Sequence, residues 1–581
     1  MMDLPVEIIV AILNLCNYRT ILRFSATSRD SHRIVCSSST LQLRIEMESN
    51  GLEIYGDIAT ASDESALKEL RDHLLVQRSL RCSGSISHQP VEIWASNIDI
   101  YDYQIRDNYY FGSYSQVNVD FEDSDGVDSL MVIGLNGHGH SDPLYLNFEA
   151  TFFDFTVDMI QKLVVLIEAL RETPTLARFH FRSIIDGEPH PLARHSTISI
   201  QLDNPILNPR PISTLGIQPE VAGRLFIAGC WWHYTGCHLY EVLVFDWVSG
   251  ALLGRIDSKV TIIAGFVLLD NAHLAVYSAT TQSQSAHPDM ITLAVYQIPS
   301  FAFPTRNANG HFQTRVYESL VPTLVLEFPP VQKGLNVVRT CPVRPTLGVG
   351  RLVFDGPTKF ACSRLPMLDV QISLHGGDEY ELGVGKPFCV IYQVYISTYH
   401  LFNLLDQQGS KATLSWNQWG PRATRWFEEE NNRSPLVGSR CIQWVNSEKD
   451  DRQRLSSIEF NPLSVEAYLT PFPSARDEIS DYRPSIHECR PLESKVQQVG
   501  ASGPGKDIRA SVVMIGSDDK TIFRAGFEQP VESYLPYWIT TQQDLIHTHW
   551  RWILEGRRLI GYPVRTGPDW RSPHLSVYAI H

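Results

Sequence analysis

Apolar residues near the start of the chain recur at helical spacing. Along Leu4-Pro5-Val6-Glu7-Ile8-Ile9-Val10-Ala11-Ile12-Leu13-Asn14-Leu15, the side chains of Ile8, Ile12 and Leu15 share one face. Ile9 and Leu13 widen that face. Asp3 can cap the helix by accepting an orphan backbone N–H, and Pro5 sits near the first turn, where a missing donor costs nothing. After the polar break Asn17-Tyr18-Arg19, the pattern predicts a second helix over Thr20–Arg29 and a third over Asp30–Cys36, ending in Ser37-Ser38-Ser39. Three short helices bury little surface by themselves, so their apolar faces call for a partner. A further short helix is predicted over Leu41–Glu48, ending near Asn50-Gly51. The longest is predicted over Ser62–Arg81: Asp63 and Glu64 favour its start, and Leu67, Leu70, Leu74 and Leu75 form its stripe. That helix either joins the helical start rigidly to the remainder of the chain or packs as plain core.

From about Val91 the texture changes. Short segments rich in β-branched and aromatic residues alternate with clusters of Gly, Pro, Asn, Asp and Ser, and predict strands. They include Gln116–Phe121, Leu163–Glu168, Arg178–Arg182, Arg224–Ala228, Val242–Trp247, Leu252–Ile256 and His273–Ser278. Ile291–Ile298, Thr323–Phe328, Arg351–Phe354, Val390–Ser397, Arg440–Val445, Ala510–Ile515 and Leu575–Ile580 continue the series. Val157–Ala169 is apolar enough for a helix, but its β-rich core LVVLIE predicts a strand. Leu293–Ile298 and Leu575–Ile580 share an L-x-V-Y-x-I pattern, half of which returns at Leu274–Tyr277. In Val242–Leu253 a strand ends in Asp246-Trp247, a Ser249-Gly250 turn comes next, and a second strand begins, as in the outer hairpin of a propeller blade. A β-propeller is the leading architecture and a pair of β-sandwich domains the alternative.

Composition narrows the class. With 581 residues and 43% apolar content the chain is globular, with material for a large core or several domains. Its longest aliphatic run, Leu163–Ile167, falls far short of the ~20 residues that cross a bilayer. No basic n-region precedes the first helix, so the N-terminus does not read as a signal peptide. Ten cysteines without a Cys-x-x-Cys pair suit reduced thiols in the cytoplasm or nucleus, where the sequon at Asn432 has no meaning. A net charge of −15 without any basic run argues against a nucleic-acid grip.

Two short motifs come near to known chemistry. His138-Gly139-His140-Ser141-Asp142 supplies two imidazoles and a carboxylate in the order that opens a metallo-β-lactamase-like zinc site. However, Pro143 stands where that site needs another histidine, and no strand–helix alternation comes after it. Gly500–Asp507 nearly spells a phosphate loop, but Asp507 replaces the hydroxyl that would hold magnesium, and a strand-like run stands next in place of a helix. No Gly-x-Ser-x-Gly elbow and no cysteine-nucleophile signature occurs. These residues imply no cofactor, no metal and no catalysis.

The order L-P-x-E-I, I-L-x-L, a Leu-containing helix, then Ser-Arg resembles the F-box, the helical hook by which substrate receptors join the adaptor of SCF-type cullin–RING ubiquitin ligases. Gly187-Glu188-Pro189-His190-Pro191-Leu192-Ala193, the Asp246-Trp247…Gly250 hairpin and Trp416…Trp419-Gly420-Pro421…Thr424-Arg425 extend the likeness. In that order they are similar to a β-rich family of F-box proteins expanded in mushroom-forming fungi. The second helix, RTILRFSATSR, is more polar than that family's usual one. Physically, Pro189 and Pro191 force an extended turn, and Trp231, Trp232, Trp416, Trp419 and Trp426 read first as packing.

The resemblance implies an α+β chain: an F-box over 1–45, a helical linker over 46–90 and a propeller-like substrate-binding domain over 91–581. Leu4, Pro5, Ile8, Ile12, Leu13 and Leu22 would dock into an apolar groove of the adaptor, and the β-rich body would hold a target protein. Neither nucleic acid nor membrane is an expected partner. Two rivals remain: a propeller scaffold whose helical start packs on its own body, and a metallohydrolase using His138, His140 and Asp142. Purified protein should carry no stoichiometric zinc, and His138→Ala should leave its metal content unchanged; elemental analysis of both proteins checks this.

Overall fold

The computed structural model describes residues 4–56, 62–79, 89–92, 100–115, 126–135, 143–169, 175–202, 215–233, 238–257, 261–280, 290–299, 310–342, 348–376, 389–408, 411–428, 433–447, 451–461, 498–499, 510–556, 558–563 and 574–579. The N-terminal helices are α1 (Val6–Leu13), α2 (Tyr18–Ser25), α3 (Arg29–Ser37), α4 (Ser39–Ser49) and α5 (Asp63–Ser79). Asn17, Ser28 and Ser38 cap α2, α3 and α4 by accepting from Thr20, Ser31 and Leu41 N–H groups. α4 runs across the expected 45/46 boundary, so hook and linker share a helix.

Beyond residue 89 strands dominate. The first sheet pairs Ile100–Arg106, Tyr109–Tyr114, Val127–Gly134 and Leu144–Phe152 in sequence order. The second takes Asp154–Asp158, Leu163–Ala169, Leu176–Ser183 and Thr197–Gln201. Leu215–Ala222, Leu225–His233, His238–Asp246 and Ala251–Asp257 form the third. Thr261–Leu268, His273–Thr280, Met290–Gln297 and Leu324–Glu327 form the fourth, which meets the third at the pair His238↔Thr261. Leu335–Pro342, Met367–Gly376, Cys389–Ser397 and Thr424–Glu428 make the fifth.

The sixth is less regular. Arg433 and Val437 bridge to Arg440–Asn446, with Arg452–Glu459, Tyr537–His547 and Ala510–Ile515 next in space. The seventh joins His549–Glu555, Arg558–Pro563 and His574–Ala579 to Gln89–Glu92, so an early strand completes a late sheet.

Each sheet is covered on both faces by its neighbours. Phe111, Leu130 and Leu146 of the first sheet pack on Phe155, Val164 and Leu166 of the second. The other face of the second, through Val165, Ile167 and Phe179, meets Phe226, Leu243 and Trp247 of the third. One large core joins the third, fourth and fifth sheets, with Val244, Leu293 and Val394 among its members. Tyr395 and Phe427 of the fifth sheet pack on Ile458 and Tyr537 of the sixth, and Trp444 of the sixth packs on Trp552 of the seventh. Finally Ile560 and Tyr562 of the seventh pack on Tyr110 and Ile133 of the first. Two-sided burial explains why LVVLIE is continuously apolar and yet a strand: alternate residues serve different neighbours.

Most of the expected strands are present within a residue or two at each end. However, Arg224–Ala228 belongs to a strand that runs five residues further, to His233, and Val242–Trp247 to one that starts four residues earlier, at His238. Gln116–Phe121 lies outside the described residues. Two helices were not expected: α6 (Thr398–Gln408) and α7 (Trp416–Ala423). Both lie between the third and fourth strands of the fifth sheet.

The helical start is stitched to the body. Leu52–Ile54 pairs with Lys359–Cys362, part of the insertion between the first two strands of the fifth sheet. Leu43, Leu67, Leu70 and Leu74 close over Phe360, so the long helix both links and packs. Arg19 stacks on Tyr399 of α6, and Asn461 Nδ2 donates to Asn50 Oδ1 at 2.8 Å. At the joint, Gly51 holds φ +67°, and a Cβ there would collide with the Arg364 carbonyl oxygen. Gly51→Ala should therefore cost about 2 kcal/mol or more of stability, combining left-handed strain with a backbone clash. Denaturant unfolding reads the loss, and limited proteolysis should release the helical segment first.

Candidate docking surface

The helical start has its own small core. Leu13, Tyr18, Ile21, Val35, Leu41 and Ile45 are buried together, with Ile9, Val10, Cys16, Leu22 and Phe24 packed around them. Glu48 fixes the start of α2 by accepting from the Tyr18 N–H at 2.7 Å, and Arg44 donates to the Asn14 carbonyl at the end of α1. These bonds orient α1 with Ile9, Val10 and Leu13 inward.

Its opposite face is bare. Leu4, Ile8, Ile12 and Leu15 are 41%, 46%, 50% and 88% exposed. Ile8 and Ile12, one turn apart within α1, share its outer face, and Leu4 and Leu15 flank the helix before its N-cap and after its last turn, extending the stripe. Pro5 stands at the N-cap position, and its carbonyl accepts from the Ile8 and Ile9 N–H groups. Asp3, expected to cap the helix, lies outside the described residues. Of the six residues expected to dock, Leu4, Pro5, Ile8 and Ile12 face outward. Leu13 and Leu22 do not: Leu13 is a core residue of the helical cluster and Leu22 is half-buried against it. The apolar arc of α1 is wide enough to serve both sides, and Leu13 falls on the inner one. Leu15, exposed and i+3 from Ile12, belongs to the stripe although it was not among the six.

The family-like motifs lie in the body and meet there. His190 of the Gly187–Ala193 turn is buried, its Nε2 at 2.9 Å from the Gln161 carbonyl and its ring edge-on to Trp247 at 5.0 Å. Trp247 Nε1 donates to the Gly223 carbonyl at 2.8 Å. Asp246 closes its turn by accepting from Ser249 Oγ at 2.8 Å and from Arg224 at 2.7 Å. Trp416, Trp419 and Trp426 gather around Phe328 with ring centroids 5.4–6.3 Å from it. Gly420 is required there, since a Cβ would run into the Trp416 ring. Arg425 is buried, donating to the Leu535 and Asp519 carbonyls at 2.7 and 2.8 Å. These motifs are packing and bracing.

A polar row comes nearest to a catalytic arrangement. His180 contacts Thr197 Oγ1 at 3.1 Å and Glu168 Oε2 at 2.8 Å, and burial holds its pKa below the usual histidine range despite that carboxylate. Thr197 and His180 are direct cross-strand partners, and Arg178 shares Glu168 at 2.7 Å, which makes the row a tie across three strands. Burial pushes the thiols of Cys362 and Cys441 up to about 12, far from a reactive thiolate. The His138–Asp142 and Gly500–Asp507 segments lie outside the described residues. Among the described residues no group of three or more His, Cys, Asp or Glu could hold a metal, and no helix is long and apolar enough to cross a membrane.

No protein-family model and no curated protein matches the chain. Several solved structures do. The WD40 domain of SCAP from fission yeast is 11% identical, covering 79% of this chain and 98% of that one at a TM-score of 0.25. The β-propeller domain of the Trilobed protease from Pyrococcus furiosus is 7% identical, covering 78% and 96% at 0.30. Hydrazine synthase from Kuenenia stuttgartiensis is 10% identical, covering 67% and 84% at 0.28. Scores this low carry no argument about fold or activity.

If the body motifs brace rather than bind, Trp247→Ala should lower the free energy of unfolding by about 3–5 kcal/mol. Urea denaturation measures that loss, and the α1 stripe should keep its binding properties in the folded fraction.

Proposed function

We propose that the body is a seven-bladed β-propeller and that the chain is the substrate-recognition subunit of an SCF-type cullin–RING ubiquitin ligase. The propeller reading is supported by the circuit of cores, in which each sheet packs on the next and the seventh packs on the first. It is supported again by Gln89–Glu92, which completes the seventh sheet as the strap of a closed propeller does. The alternative of tandem sandwiches would leave outer sheet faces uncovered.

The ligase reading rests on one observation: Ile8 and Ile12 stay exposed on a helix whose other face is packed, with the exposed Leu4 and Leu15 flanking it. Surface apolar residues scattered singly need no explanation, but four large ones clustered along and just beyond one short helix do. It suits a helix-in-groove contact with the adaptor, Pro5 setting the entry of the chain. The target protein would bind the propeller, and catalysis would lie in other subunits. Such a complex works in the cytoplasm or nucleus, without nucleic acid or membrane. The rival, a propeller scaffold with no ligase role, predicts that the stripe contacts nothing in an SCF complex.

The triple variant Leu4→Ala, Ile8→Ala, Ile12→Ala separates these readings. Each side chain contributes ~1.5–3 kcal/mol if fully covered, so adaptor affinity should fall by roughly a thousandfold or more. The melting temperature should stay near that of the wild type, because these side chains are already exposed. Co-purification and calorimetric titration with the adaptor supply the measurement. Unchanged adaptor binding, or none by the wild type, sinks the assignment.

A further inference from the structure

The chain carries a net charge of −15, yet one place gathers cations without a counter-charge. It lies where α2 of the helical start meets the α6 and α7 insertions of the fifth sheet. Arg19 lies over the Tyr399 ring, and the His400 ring meets the Tyr399 ring edge-on at 5.5 Å. One turn further along α6, the Arg364 guanidinium stands 5.2 Å over the Phe402 ring. Tyr399 and Phe402 are i,i+3 neighbours, so the two guanidiniums cover adjacent turns of one helix face. Arg422, exposed in the last turn of α7, is the other charged group acting on His400. None of these four cationic residues makes an ion pair among the described residues. Arg19 Nε donates to the Tyr18 hydroxyl at 3.1 Å and Arg364 Nη2 to the Glu48 carbonyl at 3.4 Å, both neutral acceptors. The Glu48 carboxylate of the same joint is already taken: it accepts from the Tyr18 N–H and pairs with Arg44 at 2.8 Å. Burial, then Arg19, then Arg422 hold His400 down to about 4, and no carboxylate offsets them.

We propose that this joint binds a small, multiply charged phosphate, held by Arg19 of the helical start and by His400 and Arg422 of the body. A phosphate suits the site better than a carboxylate, because its oxygens point in several directions and can meet groups from three elements at once. Arg364 adds positive charge one turn away. Arg19 and His400 are half-buried and Arg422 is exposed, so the site is open on one side and admits a free anion. The bound anion ties the helical start to the body through charge, where Gly51 and Asn50 tie it through backbone and amide contacts.

Calorimetric titration of the full chain with pyrophosphate, at neutral pH and constant ionic strength, tests the site. Pyrophosphate should bind saturably, one per chain, and sodium chloride at the same ionic strength should give no saturable heat. Arg19→Gln and Arg422→Gln should each weaken binding by about tenfold or more, the loss of one charge-assisted contact. Because Arg422 is exposed, its variant should fold normally and keeps the test decisive if Arg19→Gln loosens the joint. Pyrophosphate should also slow hydrogen exchange in peptides 17–25 and 398–408, while the fourth sheet over 273–297 does not respond. A wild type that binds no pyrophosphate saturably, or full affinity in both variants, overturns the proposal. Both variants leave the α1 stripe intact, so neither outcome bears on the ligase reading.

Discussion

The body depends on a single constraint: every sheet must be apolar on both faces, because each is packed between two others. A strand such as Leu163–Ala169 supplies Val164 and Leu166 to one neighbour and Val165 and Ile167 to the other. The chain satisfies this without a helical layer, so its long apolar runs can be short strands. The irregularities fall at the fifth and sixth sheets, where insertions carry α6, α7 and the Thr521–Phe523 and Val531–Ser533 hairpin. There the packing uses large aromatic side chains, with Trp416, Trp419, Trp426 and Phe527 filling space that regular strands would otherwise occupy.

The second organising feature is the joint between helices and sheets. Strand pairing at Leu52–Ile54, the close approach at Gly51 and the amide contact of Asn50 with Asn461 leave the helical start no independent swing. Whatever binds the outer stripe of α1 is held at a fixed orientation to the large domain. A partner bound to the helices and one bound to the body would thus be held relative to each other by rigid geometry rather than by a tether. The insertions that receive the helices leave the fifth sheet at its first–second and third–fourth strand connections.

Much of this was legible from residue patterns. Apolar and β-branched runs located strands in six of the seven sheets, but the first sheet's four strands, and others such as Met367–Gly376 and Tyr537–His547, were not among those expected. The pattern puts the helix starts at Thr20, Asp30 and Leu41 rather than at the caps Asn17, Ser28 and Ser38. Other features were hidden for identifiable reasons. Trp416–Ala423 contains Gly420-Pro421, a pair that signals a break, yet Trp416 packing over Gly420 and the Gln418 side chain accepting from the Ser415 N–H support a helix. In α6, Leu401, Leu404 and Leu405 do recur at helical spacing, but a single stripe amid strands is easily passed over. The sixth sheet takes Ala510–Ile515 as the outer neighbour of Tyr537–His547, an order that local pattern cannot supply. In the docking helix, periodicity marks an apolar arc but not its inward side. Leu13 went to the core and Leu15 to solvent for reasons visible only once α2, α3 and α4 were in place.

The pairing of Gln89–Glu92 with His574–Ala579 also bears on synthesis. As the polypeptide leaves the ribosome, the strand at 89–92 emerges long before its neighbour, and it has no partner until residue 579 has been made. The seventh sheet therefore stays incomplete for almost the whole of translation. Until the seventh sheet forms, the first sheet's face around Tyr110 and Ile133 stays uncovered and open to chaperones or another nascent chain.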